Sequence, residues 1–247
     1  MAKPIYFYGT HAVQSLLEHR PTDALSLFIQ QGKESDNSIA EILALAQSFG
    51  VSIQYAGKDK LANMCNSPQH QGVVLHARPL NFATEATLDT VIAQDNCLLL
   101  VLDQITDAHN FGACIRSAVA MNVDAIICPR KNTAPLTATV AKVAVGAAES
   151  IPVIAVGNLA RTLNQLKDAG VFVYGTALDD TAKPLHECDF TIKTAIVMGS
   201  EGEGMRRLTT DTCDQLVYIP MGGDVQSLNV SVATGMALYE ASRQRFV

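Results

Sequence analysis

From Leu98 onward the chain alternates short apolar runs with stretches of helical period, and this rhythm leaves few folds open. Leu98–Leu102 is apolar throughout, as expected of a strand buried on both faces. Val123–Cys128, Ile151–Val156, Val171–Thr176, Ala195–Gly199 and Leu216–Pro220 repeat the pattern. Between them, Phe111–Met121, Leu136–Ala147 and Leu159–Lys167 carry helical spacing, and Val230–Arg245 reads as a final amphipathic helix. Asn158 is placed to cap the third of these segments and Gly170 to stop it. Strands alternating with helices predict an α/β fold with a mainly parallel sheet covered on both faces.

The preceding residues read as a separate, smaller α/β unit over 1–77. Ile5–Tyr8, Leu25–Gln30, Val51–Tyr55 and Gly72–Ala77 are its expected strands, and Thr10–Glu18 its first helix. Ser38 followed by Glu41 forms a capping-box signature for a second helix, which Gly50 would end. Residues 78–97 read as a linker holding one short helix near Leu88–Ile92, and 98–247 as the second domain.

Composition narrows the function classes. With 48% apolar and 17% charged residues the chain can build a sizeable core. No apolar stretch approaches the roughly 20 residues of a membrane span, and Met1–Tyr8 lacks a signal-peptide pattern. The expectation is a cytoplasmic protein without membrane contact. The six cysteines form no Cys-x-x-Cys pair, so no metal site is expected and they read as reduced, small apolar side chains. A net charge of −6 lowers the expectation of nucleic-acid binding but leaves room for a local basic patch.

Three connectors, each after an expected strand, carry the chemistry. Ligands of open parallel sheets bind at that end of the strands. In Asp103–Arg116, Asn110 stands where a helix begins, and Arg116 lies almost two turns further on. Met198–Arg207 holds Gly199, Gly202 and Gly204 in the spacing Gly-x-x-Gly-x-Gly. That spacing is neither the dinucleotide fingerprint nor a P-loop, and its two glutamates would repel phosphates. Ile219–Ser231 combines a glycine turn with the apolar side chains Ile219, Met221 and Leu228, a wall suited to an uncharged aromatic ring such as adenine. Ser227 or Asn229 could cap the last helix.

Taken together and in this order, Asn110-Phe-Gly-Ala-Cys-Ile-Arg116, Met198-Gly-Ser-Glu-Gly-Glu-Gly204, and Ile219-Pro-Met-Gly-Gly followed by Ser227-Leu-Asn-Val-Ser231 resemble the SpoU (TrmH-like) family of RNA 2′-O-ribose methyltransferases. Tyr8-Gly-Thr-His-Ala-Val and His70-Gln-Gly-Val resemble that family's substrate-binding domain. With Gly146-Ala-Ala-Glu149 and Glu203-Gly-Met-Arg-Arg-Leu208, the resemblance points to the branch that methylates a guanosine 2′-hydroxyl in the peptidyl-site loop of 23S rRNA. One departure is Asp107-Ala-His-Asn110, where the family often has Asp-Pro-x-Asn.

The resemblance implies a SPOUT-type parallel sheet with a deep trefoil knot, behind a small L30e-like substrate-binding domain. It implies a homodimer acting on 23S rRNA or a large-subunit precursor, with S-adenosylmethionine as methyl donor. Carried over by motif, Thr176, Gly199, Ile219, Met221, Ser227, Leu228 and Asn229 are the expected donor contacts, and Asn110, Arg116 and Glu201 the expected catalytic set. Arg116 is the family's candidate for proton removal. An arginine, whose planar guanidinium is built to donate in pairs, serves more simply as a clamp on the 3′ phosphate. The rival expectation is a non-catalytic RNA-binding module that retains the donor pocket.

Overall fold

The structure is a computed structural model that describes residues 3–223 and 227–245. Positions 224–226 of the third connector lie outside the described residues, as do Met1 and Ala2 at the start. Contacts divide the chain into two units. The first comprises Met1–Asn81 with Pro135–Ser150, and the second Phe82–Ala134 with Ile151–Val247.

The first unit runs β1 (Ile5–Tyr8), α1 (Thr10–His19), β2 (Ala24–Gln30), α2 (Asn37–Ser48), β3 (Ser52–Ala56), α3 (Lys58–Cys65) and β4 (Val73–Ala77). Its sheet has the order β1-β4-β2-β3, antiparallel except for the β2–β3 pair. Alternation turns Phe7, Leu27, Ile29, Val73 and Leu75 to one face, where they bury against Leu16 and Leu17 of α1 and Ile39 and Ile42 of α2. Gly50, at φ 68°, ends α2 as expected. Ser38 does not cap it: the cap lies two residues earlier, with Asp36 in the N-cap position and no side-chain cap bond. Helix α3 escapes the sequence reading because Leu61 is its only buried residue, too little for a visible apolar period.

The second unit begins with α4 (Glu85–Ile92), followed by β5 (Leu98–Leu102), α5 (Ala108–Ala120) and β6 (Ala125–Pro129). Part of the expected linker is core instead. Leu88, Val91 and Ile92 of α4 are buried with Leu99, Val101, Ile127 and Ile154, so these residues carry apolar contact rather than solvated spacing. After β6 the chain enters α6 (Ala138–Val143), which belongs to the first unit and not to the second domain expected over 98–247. Ala141 of α6 joins the first unit's core. Further on, Arg20 grips Glu149 in a two-pronged ion pair, Nε to Oε2 at 2.7 Å and Nη2 to Oε1 at 3.0 Å.

The remaining elements are β7 (Val153–Val156), α7 (Leu159–Asp168), β8 (Phe172–Thr176), β9 (Lys183–Pro184), β10 (Thr194–Met198), α8 (Arg207–Thr212), β11 (Gln215–Tyr218) and α9 (Val230–Arg245). Asn158 caps α7 by accepting from the Arg161 amide at 3.0 Å. The sheet order is β7-β6-β5-β10-β8-β11-β9, with every pairing parallel. Strands β5, β6 and β7 step outward one way, and the later strands lie on the other side of β5. The carboxyl ends beside that reversal are where a ligand crevice is expected in such sheets.

Candidate functional site

The carboxyl end of β10 runs into the glycine-rich loop. Gly199 passes so near the following backbone that a Cβ there would lie 2.2 Å from the Gly204 carbonyl carbon and the Met205 nitrogen. Ser200 and Gly204 exchange backbone hydrogen bonds at 2.9 and 3.0 Å, closing a hairpin whose tip is Glu201, Gly202 and Glu203. The positive φ of Gly202 (90°) permits that turn.

Asp103 ties both ends of this loop. Its amide donates to the Met198 carbonyl at 2.8 Å, just before Gly199. Its carboxylate, fully buried, accepts from the Arg206 amide at 3.0 Å and Nε at 2.9 Å, with Arg206 Nη2 at 2.7 Å. The sequence places Asp103 at the head of the first connector and Arg206 within Glu203-Gly-Met-Arg-Arg-Leu208 but assigns neither a role. The available signal was an acid directly after a strand with no polar residue.

Beside the loop, three expected site residues meet. Asp107 caps α5 by accepting from the Asn110 amide at 2.7 Å, so Asn110 is inside the helix and its side chain is not a cap. Asn110 Nδ2 donates to Glu201 Oε2 at 3.3 Å. Asn229 Nδ2 donates to Asn110 Oδ1 at 2.9 Å and to Glu201 Oε2 at 3.3 Å. The other end of Asn229 caps α9, its Oδ1 accepting from the Ser231 amide at 2.9 Å. Each amide side chain therefore uses both ends, which fixes its orientation. Among the described residues no hydrogen bond reaches Glu201 Oε1.

Arg116 is not brought to this cluster. It is exposed on α5, six residues beyond Asn110. At about 100° per residue it projects roughly 120° away around the helix. Among the described residues it has no ion pair.

The loops after β8, β10 and β11 enclose a cavity of about 570 Å³. Thr176, Gly199, Ile219, Met221, Ser227 and Leu228 all line it, as do Glu201 and Glu203. Thr176 is held by its hydroxyl, which donates to the Val197 carbonyl at 2.9 Å. Asn110, Asn229 and Arg116 are outside the lining. The volume falls within the range of about 300–1,000 Å³ typical of small-molecule sites. Apolar walls beside carboxylates suit a ligand with an aromatic ring and a positive charge. Among the described residues there is no group of three or more His, Cys, Asp or Glu side chains placed to hold a metal ion. No helix among them is long and apolar enough to cross a membrane.

Residues 97–239 match the family model described as SpoU rRNA Methylase. The chain belongs to the SpoU rRNA methylase family. Residues 6–83 of this SpoU protein match the model for RNA 2′-O ribose methyltransferase substrate binding. Its relatives include the 23S rRNA (guanosine-2′-O-)-methyltransferase RlmB of Acinetobacter baylyi, 52% identical over 247 residues, covering 99% of each chain. The protein of the same description from Escherichia coli K12 is 47% identical over 239 residues, covering 96% of this chain and 98% of that one. Among solved structures, the SpoU methyltransferase AviRb from Streptomyces viridochromogenes has a TM-score of 0.80 at 23% identity, over 99% of this chain and 90% of that one. AviRb in complex with the cofactor AdoMet has a TM-score of 0.78 at 24% identity, over 98% and 91%. At those identities the likeness concerns the fold, and it covers both units of the SpoU chain.

Proposed function

We propose that this SpoU protein transfers a methyl group from S-adenosylmethionine to the ribose 2′-hydroxyl of a guanosine in 23S rRNA, in the peptidyl-site loop. The observation that carries the reading is the hydrogen-bonded cluster of Asn110, Glu201 and Asn229 beside a donor-sized cavity. The names borne by relatives 52% and 47% identical supply the RNA and the nucleoside.

Ile219, Met221 and Leu228 form the apolar wall for the adenine ring. The carboxylates of Glu201 and Glu203 complement the donor's positive charge. When bound, S-adenosylmethionine supplies a methyl carbon already activated by its sulfonium charge. The chain's own residues have two tasks, to hold the nucleophile and to receive its proton. Asn110 and Asn229 fasten Glu201 through Oε2, leaving Oε1 to accept from the ribose hydroxyl. Arg116 faces away from this cluster within its own chain, so in this reading it clamps the 3′ phosphate at the partner subunit's site across the dimer, a role its planar guanidinium fits better than proton removal.

The reading includes a homodimer and a knotted C-terminal segment, as in the family, and a cytoplasmic place beside the ribosomal RNA. Val232, Met236 and Tyr239 support the dimer: they are 52%, 43% and 60% exposed and recur along one face of α9. The opposite face of α9 packs on α5, where Thr234 meets Cys114 at 3.4 Å.

The test is methyl transfer from labelled donor to 23S rRNA or a large-subunit precursor, with the modified ribose mapped. Glu201→Gln and Asn110→Ala should lower transfer by about 10²-fold or more while donor still binds. A wild-type protein that binds donor and methylates no RNA would establish the non-catalytic module instead.

A further inference from the structure

Sheet order ranks the loops along the rim of the second unit. The cavity is built after β10, β8 and β11, and Asn110 follows β5. Next to β5, away from the cavity, lies β6 with the loop Arg130–Ala134. This loop has no part in the site described above, yet it is built. Its base is closed by Thr133 Oγ1 donating to the Pro129 carbonyl at 2.7 Å. It is tied to the loop that leads into α5 by Ala134 N to Ile105 O at 2.8 Å and Asn132 Nδ2 to Gln104 Oε1 at 3.4 Å. Gln104 and Asn132 both hold left-handed backbone, φ 64° and 59°, a conformation that asparagine tolerates and glutamine seldom adopts.

At the tip stand Arg130 and Lys131, both exposed. Among the described residues neither has a carboxylate within ion-pair distance. The Arg130 guanidinium has only a long contact to the Ala155 carbonyl, at 3.5 Å. In a chain of net charge −6, adjacent cations without a counter-charge are a local field of the sign that RNA requires.

We propose that Arg130 and Lys131 bind the phosphate backbone of the substrate RNA, on the side of the Asn110–Glu201–Asn229 cluster opposite the donor cavity. The second unit thereby has a backbone contact of its own, separate from the substrate-binding unit. The inference rests on the proposed RNA substrate. Phosphate contacts of this kind set register and orientation rather than sequence choice. Gln104 and Asn132, with free amide capacity beside the two cations, are suited to the sugar edge.

The experiment uses the full chain and a 23S rRNA transcript, with RNA affinity measured across a salt series. Arg130→Ala/Lys131→Ala should weaken RNA binding by about tenfold or more and flatten the log–log salt slope by about 1–2. Donor affinity, measured by calorimetry without RNA, should stay within about twofold. The charge-reversed Lys131→Glu should weaken RNA binding further than Lys131→Ala. RNA affinity and salt slope equal to wild type in the double variant would overturn the proposal, and so would a loss of donor affinity matching the loss for RNA. Failure of the wild-type protein to methylate rRNA would count against the proposed reaction alone, because the salt slope is read from binding.

Discussion

The Asp103–Arg206 pair predicts an unequal response to removing one or the other partner. Asp103 is fully buried, whereas the Arg206 side chain is 42% exposed. Arg206→Ala leaves a carboxylate in the interior with one backbone amide for company. Stranding a buried charge in this way costs about 3–5 kcal/mol. Asp103→Ala leaves a guanidinium that water can reach, so the loss is that of charge-assisted hydrogen bonds, about 2 kcal/mol after allowing for solvent. Arg206→Ala should therefore be the more destabilising substitution, by about 1–3 kcal/mol. Urea denaturation followed by circular dichroism measures the difference, and donor calorimetry reads the second consequence. Both variants free an end of the Gly199–Met205 loop, so both should weaken donor binding. Equal destabilisation, or a larger effect from Asp103→Ala, would refute the reasoning.

Asn229→Ala removes the α9 cap, worth about 1 kcal/mol, and unfastens Glu201; a small drop in melting temperature should accompany a much larger loss of methyl transfer, and a variant that loses only stability would detach Asn229 from the site. Met236→Asp with Tyr239→Asp places charges on the exposed stripe of α9, and sedimentation should then show a monomer with little activity; an active dimer would count against that face. Burial pushes the thiol of Cys114 up to about 11 and those of Cys128 and Cys213 up to about 12, from an ordinary 9.0. Folded-state pKa values raised in this way mean stability that is intact below pH 9 and declines as pH rises toward 11–12, so the melting temperature should fall over that window and fall less steeply in Cys114→Ser.

The parts of the fold legible in sequence were those with a strong period. Leu98–Leu102 and its sister strands declare themselves because burial on both faces excludes polar residues. Helix α3 and the two-residue β9 carry too few buried side chains to leave such a mark. The packing of α4 was missed because Leu88, Val91 and Ile92 match an isolated short helix equally well until the sheet beneath is known. At the site, the glycine loop and the residues lining the cavity were visible as motifs. The Asp103–Arg206 tie was not, for its partners are 103 residues apart and each alone is an ordinary charged residue. Asn229 was legible as a helix cap; its second role depends on Asn110 and Glu201 arriving from distant loops.

Helix α6 has a consequence for how the chain is made. Ala141 completes the core of the first unit, and Glu149, its side chain only 1% exposed, closes on Arg20. A ribosome adding roughly 5–20 residues per second releases the first 81 residues about 3–14 s before residue 150 emerges. During that interval the nascent unit lacks both the Ala141 contact and the buried Glu149 carboxylate, and Arg20 has only Asp23 as a paired anion. The amino-terminal unit of this protein, although made first, finishes folding only after part of the methyltransferase sequence has been translated.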